Sequence, residues 1–237
     1  MTKKVTLQTD IIEFDLDGTL VETTLAVEHI WTDMCKEHNV DPSDLFQHTH
    51  GVRTSDTLAR YFPAIDNTDN KAALAFDTSI VTKYGQYVKI IPGAPELLKA
   101  LKAGRWCIVT SGNEELATGW FKPGQIFHDI PKPEVFICAH MVSQGKPHPE
   151  GFETGAKLMA KNLGLDANTI TRQVYEDSIA GVKAGVASGA TVIGIASCFK
   201  PEDLYKAGAS YVIQDMNSVK VLDGEKIELE LDVIERE

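Results

Sequence analysis

Between Ile11 and Leu20 the chain runs Ile-Ile-Glu-Phe-Asp-Leu-Asp-Gly-Thr-Leu, a β-rich apolar stretch ending in two carboxylates one residue apart. An extended backbone carries Asp15 and Asp17 on one side, and Gly18 permits a tight bend behind them. The period then changes. From Thr24 to His38, apolar residues fall at Leu25, Val27, Ile30, Trp31, Met34 and Cys35, the stripe of an amphipathic helix. Asp41-Pro42-Ser43-Asp44 is a capped helix start with proline at its first position, and residues 53–62 and 68–84 read as two more helices, the last stopped by Gly85. Residues 22–89 are thus expected to form a helical insert in a core made of residues 1–21 and 90–237.

After Ile90 the pattern alternates. A helix over 92–103 closes at Gly104, and a strand over 105–110 feeds into Ser111-Gly112-Asn113. A helix over 114–121, a strand over 135–138, a helix over 149–163, a strand over 172–176, a helix over 178–188 and a strand over 191–195 follow. This βαβ order predicts an α/β fold with a doubly wound parallel sheet, whose ligands bind beyond the carboxyl ends of the strands. In the tail, Leu222-Asp223-Gly224-Glu225 separates two alternating segments, one carrying Ile227, Leu229, Leu231 and Val233, which predicts an edge hairpin.

Composition narrows the partners. The chain has 237 residues, 43% of them apolar, and a formal charge of −11, which disfavours nucleic acid and anionic membranes. No apolar run approaches the roughly 20 residues that span a bilayer, and the start lacks the apolar segment of a secretory signal, so a cytoplasmic location is expected. Nothing requires more than a monomer. Cys35, Cys107, Cys138 and Cys198 form no CxxC pair and read as free thiols in a reducing compartment. There is no P-loop, dinucleotide fingerprint or serine-hydrolase elbow.

Candidate chemistry gathers at three strand ends and one loop. Asp15 and Asp177, with a backbone carbonyl, are the hard oxygen donors that Mg²⁺ prefers, and they leave room for phosphate oxygens. Lys146, in Gly145-Lys146-Pro147, would offset the repulsion between a phosphate and a carboxylate nucleophile, and Thr110 and Ser111 would hold the remaining phosphoryl oxygens. On this reading Asp15 attacks phosphorus, and Asp17 protonates the departing alcohol and then activates water. Each residue also has a plainer reading. Aspartates after strands are turn formers, Thr110, Ser111 and Asp177 can cap helices, Lys146 can be a surface lysine, and Glu176 is either a neighbour of a metal or a structural acid. Arg53 clamps a substrate or pairs with an acid on the next helix. His48 and His50 have HxH spacing, but without a third ligand they better suit a substrate-facing loop than zinc. Glu13, amid apolar residues, needs a Lys, Arg or hydroxyl partner.

Four runs taken together, Asp15-Leu16-Asp17-Gly18-Thr19, Thr110-Ser111, Gly145-Lys146-Pro147 and Glu176-Asp177-Ser178-Ile179-Ala180-Gly181-Val182, resemble the ordered motifs of the haloacid dehalogenase superfamily. The resemblance implies a Rossmann-like core with a helical cap over the site. It also implies Mg²⁺ held at Asp15, Asp17 and Asp177, and phosphate contacts from Thr110, Ser111, Gly112 and Lys146. Dehalogenase members lack an acid at the position of Asp17 and transport ATPases carry threonine there, so Asp17 points to phosphatases and phosphomutases. The cap runs Asp41-Pro42-Ser43-Asp44-Leu45-Phe46 and His48-Thr49-His50-Gly51-Val52-Arg53-Thr54 are similar to the fungal 2-deoxyglucose-6-phosphate and glycerol-3-phosphate phosphatases, with His50, Gly51 and Arg53 as substrate contacts and Gln47 and Val52 beside them. The expected activity is hydrolysis of small sugar or polyol monophosphates. The alternatives are a sugar phosphomutase and a catalytically silent phospho-sugar sensor.

Overall fold

The computed structural model describes residues 2–222 and 226–236, apart from the side chain of Gln47. Strands β1 (Thr2–Thr9), β2 (Ile11–Phe14) and β3 (Val21–Glu22) lead into helices α1 (Thr24–His38), α2 (Pro42–Thr49), α3 (Thr54–Tyr61) and α4 (Lys71–Thr82), after which comes β4 (Lys89–Ile90). The chain continues through α5 (Ala94–Ala100), β5 (Trp106–Val109), α6 (Glu114–Gly119), β6 (Phe136–Ile137), α7 (Glu150–Leu163), β7 (Arg172–Glu176) and α8 (Ile179–Ala187). It ends with β8 (Thr191–Ile195), α9 (Pro201–Ala207), β9 (Tyr211–Ile213), β10 (Val219–Leu222) and β11 (Ile227–Ile234).

Six strands pair in parallel in the order β6-β5-β2-β7-β8-β9, the doubly wound sheet that the alternation predicts. Connections leave β2 in one direction toward β5 and β6, and the later strands extend the other way, so the carboxyl end of β2 is the point where strand order reverses. Both faces of the sheet are covered. Ile12 and Phe14 point to one face with Ile108, Tyr175 and Ile193, while Ile11 joins Val109, Val174, Phe152 of α7 and Leu204 of α9 on the other. Phe14, Tyr175 and Phe152 are fully buried, each contributing about 1.5–3 kcal/mol of transfer free energy.

Glu13 breaks this apolar run, and it has the expected cationic partner: Arg172 Nη1 lies 3.2 Å from Oε2. Burial pushes the carboxyl up to about 8 against the pull of Arg172, and Oε1 has no hydrogen-bond partner.

The helical segment leaves and rejoins the core at adjacent points, because β3 and β4 pair antiparallel, Val21 with Ile90 and Glu22 with Lys89. Asp41 caps α2 by accepting from the Ser43 amide, with Pro42 at the first helical position. Trp31 of α1 stacks 5.7 Å from Phe62 and lies 4.2 Å from Phe76 of α4, tying these helices together. The helix expected over 68–84 is shorter. Asp69 and Asn70 have φ of 55° and 59°, so a three-residue turn, Thr68–Asn70, precedes α4.

The tail segments pair antiparallel, β10 with β11, as the expected hairpin requires, but they join another sheet. They do not extend the edge of the parallel sheet; β1, β11 and β10 form a separate antiparallel sheet with β11 in the middle. The intervening turn at 223–225 lies outside the described residues. In β1 only Val5 and Leu7 alternate with Lys and Thr, too weak a pattern to announce a strand without its partner. Among the described residues no helix is long and apolar enough to cross a membrane.

Candidate active site

The site assembles where β2 ends. The strand stops at Phe14, and the next residues fold back at Gly18, whose φ is 87° and whose amide donates to the Val21 carbonyl at 2.7 Å. No side chain fits at Gly18, since a Cβ there would sit 2.2 Å from Asp177 Oδ2. Asp15 and Asp177 are therefore delivered side by side from the ends of β2 and β7.

Lys146 arrives from the loop after β6 and is buried. Its Nζ donates to Asp15 Oδ1 at 2.5 Å, to Glu176 Oε1 at 2.6 Å and to the Val109 carbonyl at 3.1 Å. Burial alone would depress the ammonium, but Asp15 and Glu176 outweigh it and hold its pKa above the ordinary lysine value. Glu176 is fixed from the other side, where Oε2 accepts from the amide and hydroxyl of Ser178 at 2.9 Å each. Helix α8 approaches this closely because residue 181 is glycine; a Cβ there would fall 1.6 Å from Glu176 Oε1.

Asp15, Glu176 and Asp177 place one carboxylate oxygen each within 4.8 Å of one another. Burial, then mutual repulsion with Glu176, raises the carboxyls of Asp15 and Asp177, with the pull of Lys146 opposing it. Three buried carboxylates thus face one ammonium, and the all-oxygen donor set fits a hard divalent cation. Of the expected metal residues, Asp15 and Asp177 come together, and Glu176 rather than the Asp17 side chain completes the group. Asp17 is held separately: its Oδ1 accepts from the Thr23 hydroxyl at 3.0 Å, and its Oδ2 lies 3.4 Å from the Thr110 hydroxyl. Burial raises its carboxyl, against those two hydroxyls. Two carboxylates two residues apart therefore occupy different surroundings, one beside an ammonium and one among hydroxyls.

Residues 12–195 match the model of the haloacid dehalogenase-like hydrolase family. The chain belongs to that family. It is 43% identical over 224 residues to 2-deoxyglucose-6-phosphate phosphatase 1 of Saccharomyces cerevisiae, covering 90% of each chain. It is also 32% identical to glycerol-1-phosphate phosphohydrolase 1 of the same yeast, covering 93% of this chain and 88% of the relative. Among solved structures, a family hydrolase from Entamoeba histolytica superposes with a TM-score of 0.70 at 22% identity, covering 89% of this chain and 95% of that one.

In this hydrolase the helical segment meets the core around the acids. Asp15, Asp17, Thr110, Ser111, Gly112, His50 and Gly51 line one pocket. The Ser111 hydroxyl donates to the Gly51 carbonyl at 2.8 Å, and the Gly112 amide donates to Thr110 Oγ1 at 2.9 Å. His50 Nε2 is 3.6 Å from Glu28 Oε1, its ring edge against Phe199, and burial lowers its pKa. His48 is turned away, with Nδ1 facing the Asp44 carbonyl at 2.9 Å, so the HxH pair does not converge. Arg53 follows the second of its two readings. Its guanidinium is bound by Asp56 at 2.7 and 3.0 Å and reaches the Val142 carbonyl at 3.2 Å.

One residue escaped the sequence reading. Asp77 of α4 is buried; Oδ1 accepts from the Thr54 hydroxyl at 2.9 Å, and Oδ2 accepts from the Asn113 amide at 3.0 Å and its side-chain NH₂ at 2.7 Å. The signal was a carboxylate on the apolar face of its helix, among Ala73, Phe76 and Ile80.

Proposed function

We propose that this chain is a phosphatase that hydrolyses small sugar or polyol monophosphates through an aspartyl-phosphate on Asp15, with residues 22–89 as a cap over the site. The observation that carries the reading is the unequal setting of the two aspartates: Asp15 is aligned by Lys146 at 2.5 Å, while Asp17 stands in the same pocket among the hydroxyls of Thr23 and Thr110. The names of the two yeast relatives support the substrate class.

In the first half-reaction an Asp15 oxygen attacks phosphorus, the ester P–O bond breaks, and the departing alkoxide takes a proton from Asp17. Burial raises the carboxyl of Asp17, which favours the protonated form this step needs. In the second, water attacks the phosphorus of the aspartyl-phosphate, gives its proton to Asp17, and the P–O bond to Asp15 breaks, releasing phosphate and restoring both side chains. Lys146 positions Asp15 and meets the negative charge of the phosphoryl group; Thr110, Ser111 and Gly112 cradle its remaining oxygens. Asp15, Glu176 and Asp177 would hold Mg²⁺, which when bound supplies positive charge against the phosphoryl oxygens. The cap contacts at Gly51, Arg53 and Asp77 keep bulk water out of the closed pocket.

Asp15→Asn tests the reading. Release of inorganic phosphate from sugar phosphates and trapping of a fluoroberyllate adduct should both be lost; full activity in this variant ends the proposal.

A further inference from the structure

The space over Asp15 and Asp17 is small, ≈ 80 Å³, and it adjoins a wider cleft of ≈ 730 Å³ between α3, α4 and the start of α6. Asp77, Thr54 and Ser111 line both spaces. Phosphate chemistry belongs to the inner pocket, so whatever the phosphate is esterified to must extend past these residues into the cleft. Asp77 is the carboxylate at that passage.

Its hydrogen bonds leave it with capacity. Each carboxylate oxygen can accept about two hydrogen bonds. Oδ2 takes two, from the Asn113 amide and NH₂, whereas Oδ1 takes one, from Thr54. One accepting position on Oδ1 is therefore open, on a side chain otherwise fixed in place. The guanidinium on the cleft wall is already engaged, Arg53 being bound by Asp56, and the His140 ring lies 3.7 Å from Glu114. A leaving group with hydroxyls would find an ionised acceptor there, and one with a second phosphate or a carboxylate would meet unbalanced negative charge.

We propose that Asp77 is a specificity-determining residue of this site, accepting a hydroxyl of the leaving group and excluding leaving groups that carry a second anionic group. The proposal rests on the phosphatase reading for the position of the phosphate. It selects monophosphates of neutral polyols and sugars over bisphosphates and phosphorylated sugar acids, and so gives the cleft a polarity opposite to that needed to retain a bisphosphate intermediate.

The test compares Asp77→Asn with the unaltered protein. Asparagine keeps the shape: its oxygen can accept from Asn113 and its NH₂ can face the Thr54 hydroxyl, so the fold is retained, with thermal melting as the check. The unaltered protein should show higher kcat/KM for a hexose 6-phosphate than for a hexose 1,6-bisphosphate, and Asp77→Asn should shrink that ratio by roughly tenfold or more. The same two sugar phosphates are titrated calorimetrically against Asp15→Asn and Asp15→Asn/Asp77→Asn, which reads selectivity without turnover. Equal binding of both sugars, or a ratio indifferent to Asp77→Asn, overturns the inference. Failure to release phosphate from any ester would instead overturn the phosphatase reading and leave the binding comparison decisive for Asp77.

Discussion

Lys146 Nζ sits between Asp15 Oδ1 and Glu176 Oε1, 2.5 and 2.6 Å away, in a place where all three side chains are almost wholly out of solvent. An ammonium from the loop after β6 thereby joins the ends of β2 and β7, and each carboxylate depends on it. Removing one partner from such a buried group leaves uncompensated charge and costs about 3–5 kcal/mol. Lys146→Met, which preserves most of the volume, should lose stability of that order in urea unfolding without divalent cations and release no phosphate. Combined with Asp15→Asn, the loss should be clearly less than the sum of the single effects, since the pair shares one interaction. Additive losses would mean that the ion pair contributes no coupling.

The acid group also predicts a response to cations that does not pass through turnover. Binding to the folded chain alone stabilises it by about 2.7 kcal/mol at a hundredfold excess over Kd. Millimolar Mg²⁺ should therefore raise the melting temperature of the unaltered protein, and Asp177→Asn should abolish most of that rise. An identical rise in both would place the cation elsewhere.

How much of this was legible in the sequence depends on distance along the chain. The doubly wound sheet was readable because β2, β5 and β8 are buried on both faces and so run as near-continuous apolar segments between helical stripes. Asp15, Lys146 and Asp177 were readable because each stands beside a strand or turn that fixes it locally. Strand β1 was not, since its register comes from β11, more than 200 residues later. Nor were the partners of Asp77, because local pattern says which face a side chain is on but not what the opposite element offers. The carboxylate group shows the same limit: the sequence left Glu176 open between a neighbour of the metal and a structural acid, and only the approach of α8, allowed by Gly181, puts it beside Asp15 and Asp177.

Gly51 gives a matched pair of substitutions. Its φ is 76°, and a Cβ would lie 2.0 Å from Ser178 Oγ, the hydroxyl that donates to Glu176 and caps α8. Gly104 has nearly the same backbone, φ 74°, with nothing within 4 Å. Gly104→Ala should cost only the left-handed strain, roughly 1 kcal/mol. Gly51→Ala should cost more and also lower kcat/KM, because the methyl group pushes on the side chain that steadies Glu176. Equal effects on melting temperature and unchanged turnover would show that the loop at Gly51 does not bear on the acid group.

Asp77 predicts a pH dependence of stability. Burial raises its carboxyl to about 6, opposed by the Asn113 and Thr54 donors, with the charge of Asp17 adding to the rise. In the unfolded chain the same group titrates near 4. Between those values the folded chain binds more protons than the unfolded one, so the group's contribution is fully present below about pH 4 and is lost as pH rises through 6. From pH 5 to 7.5 the loss is about 1.4 kcal/mol, obtained by integrating that proton difference. Asp77→Asn has no such group, so the gap between its unfolding free energy and that of the unaltered protein should move by this amount, in favour of the variant at the higher pH. Urea unfolding at half-unit pH steps reads the gap directly, with every other titrating group common to both proteins. Parallel profiles would mean that Asp77 ionises as it does in water, its hydrogen-bond donors offsetting its burial in full.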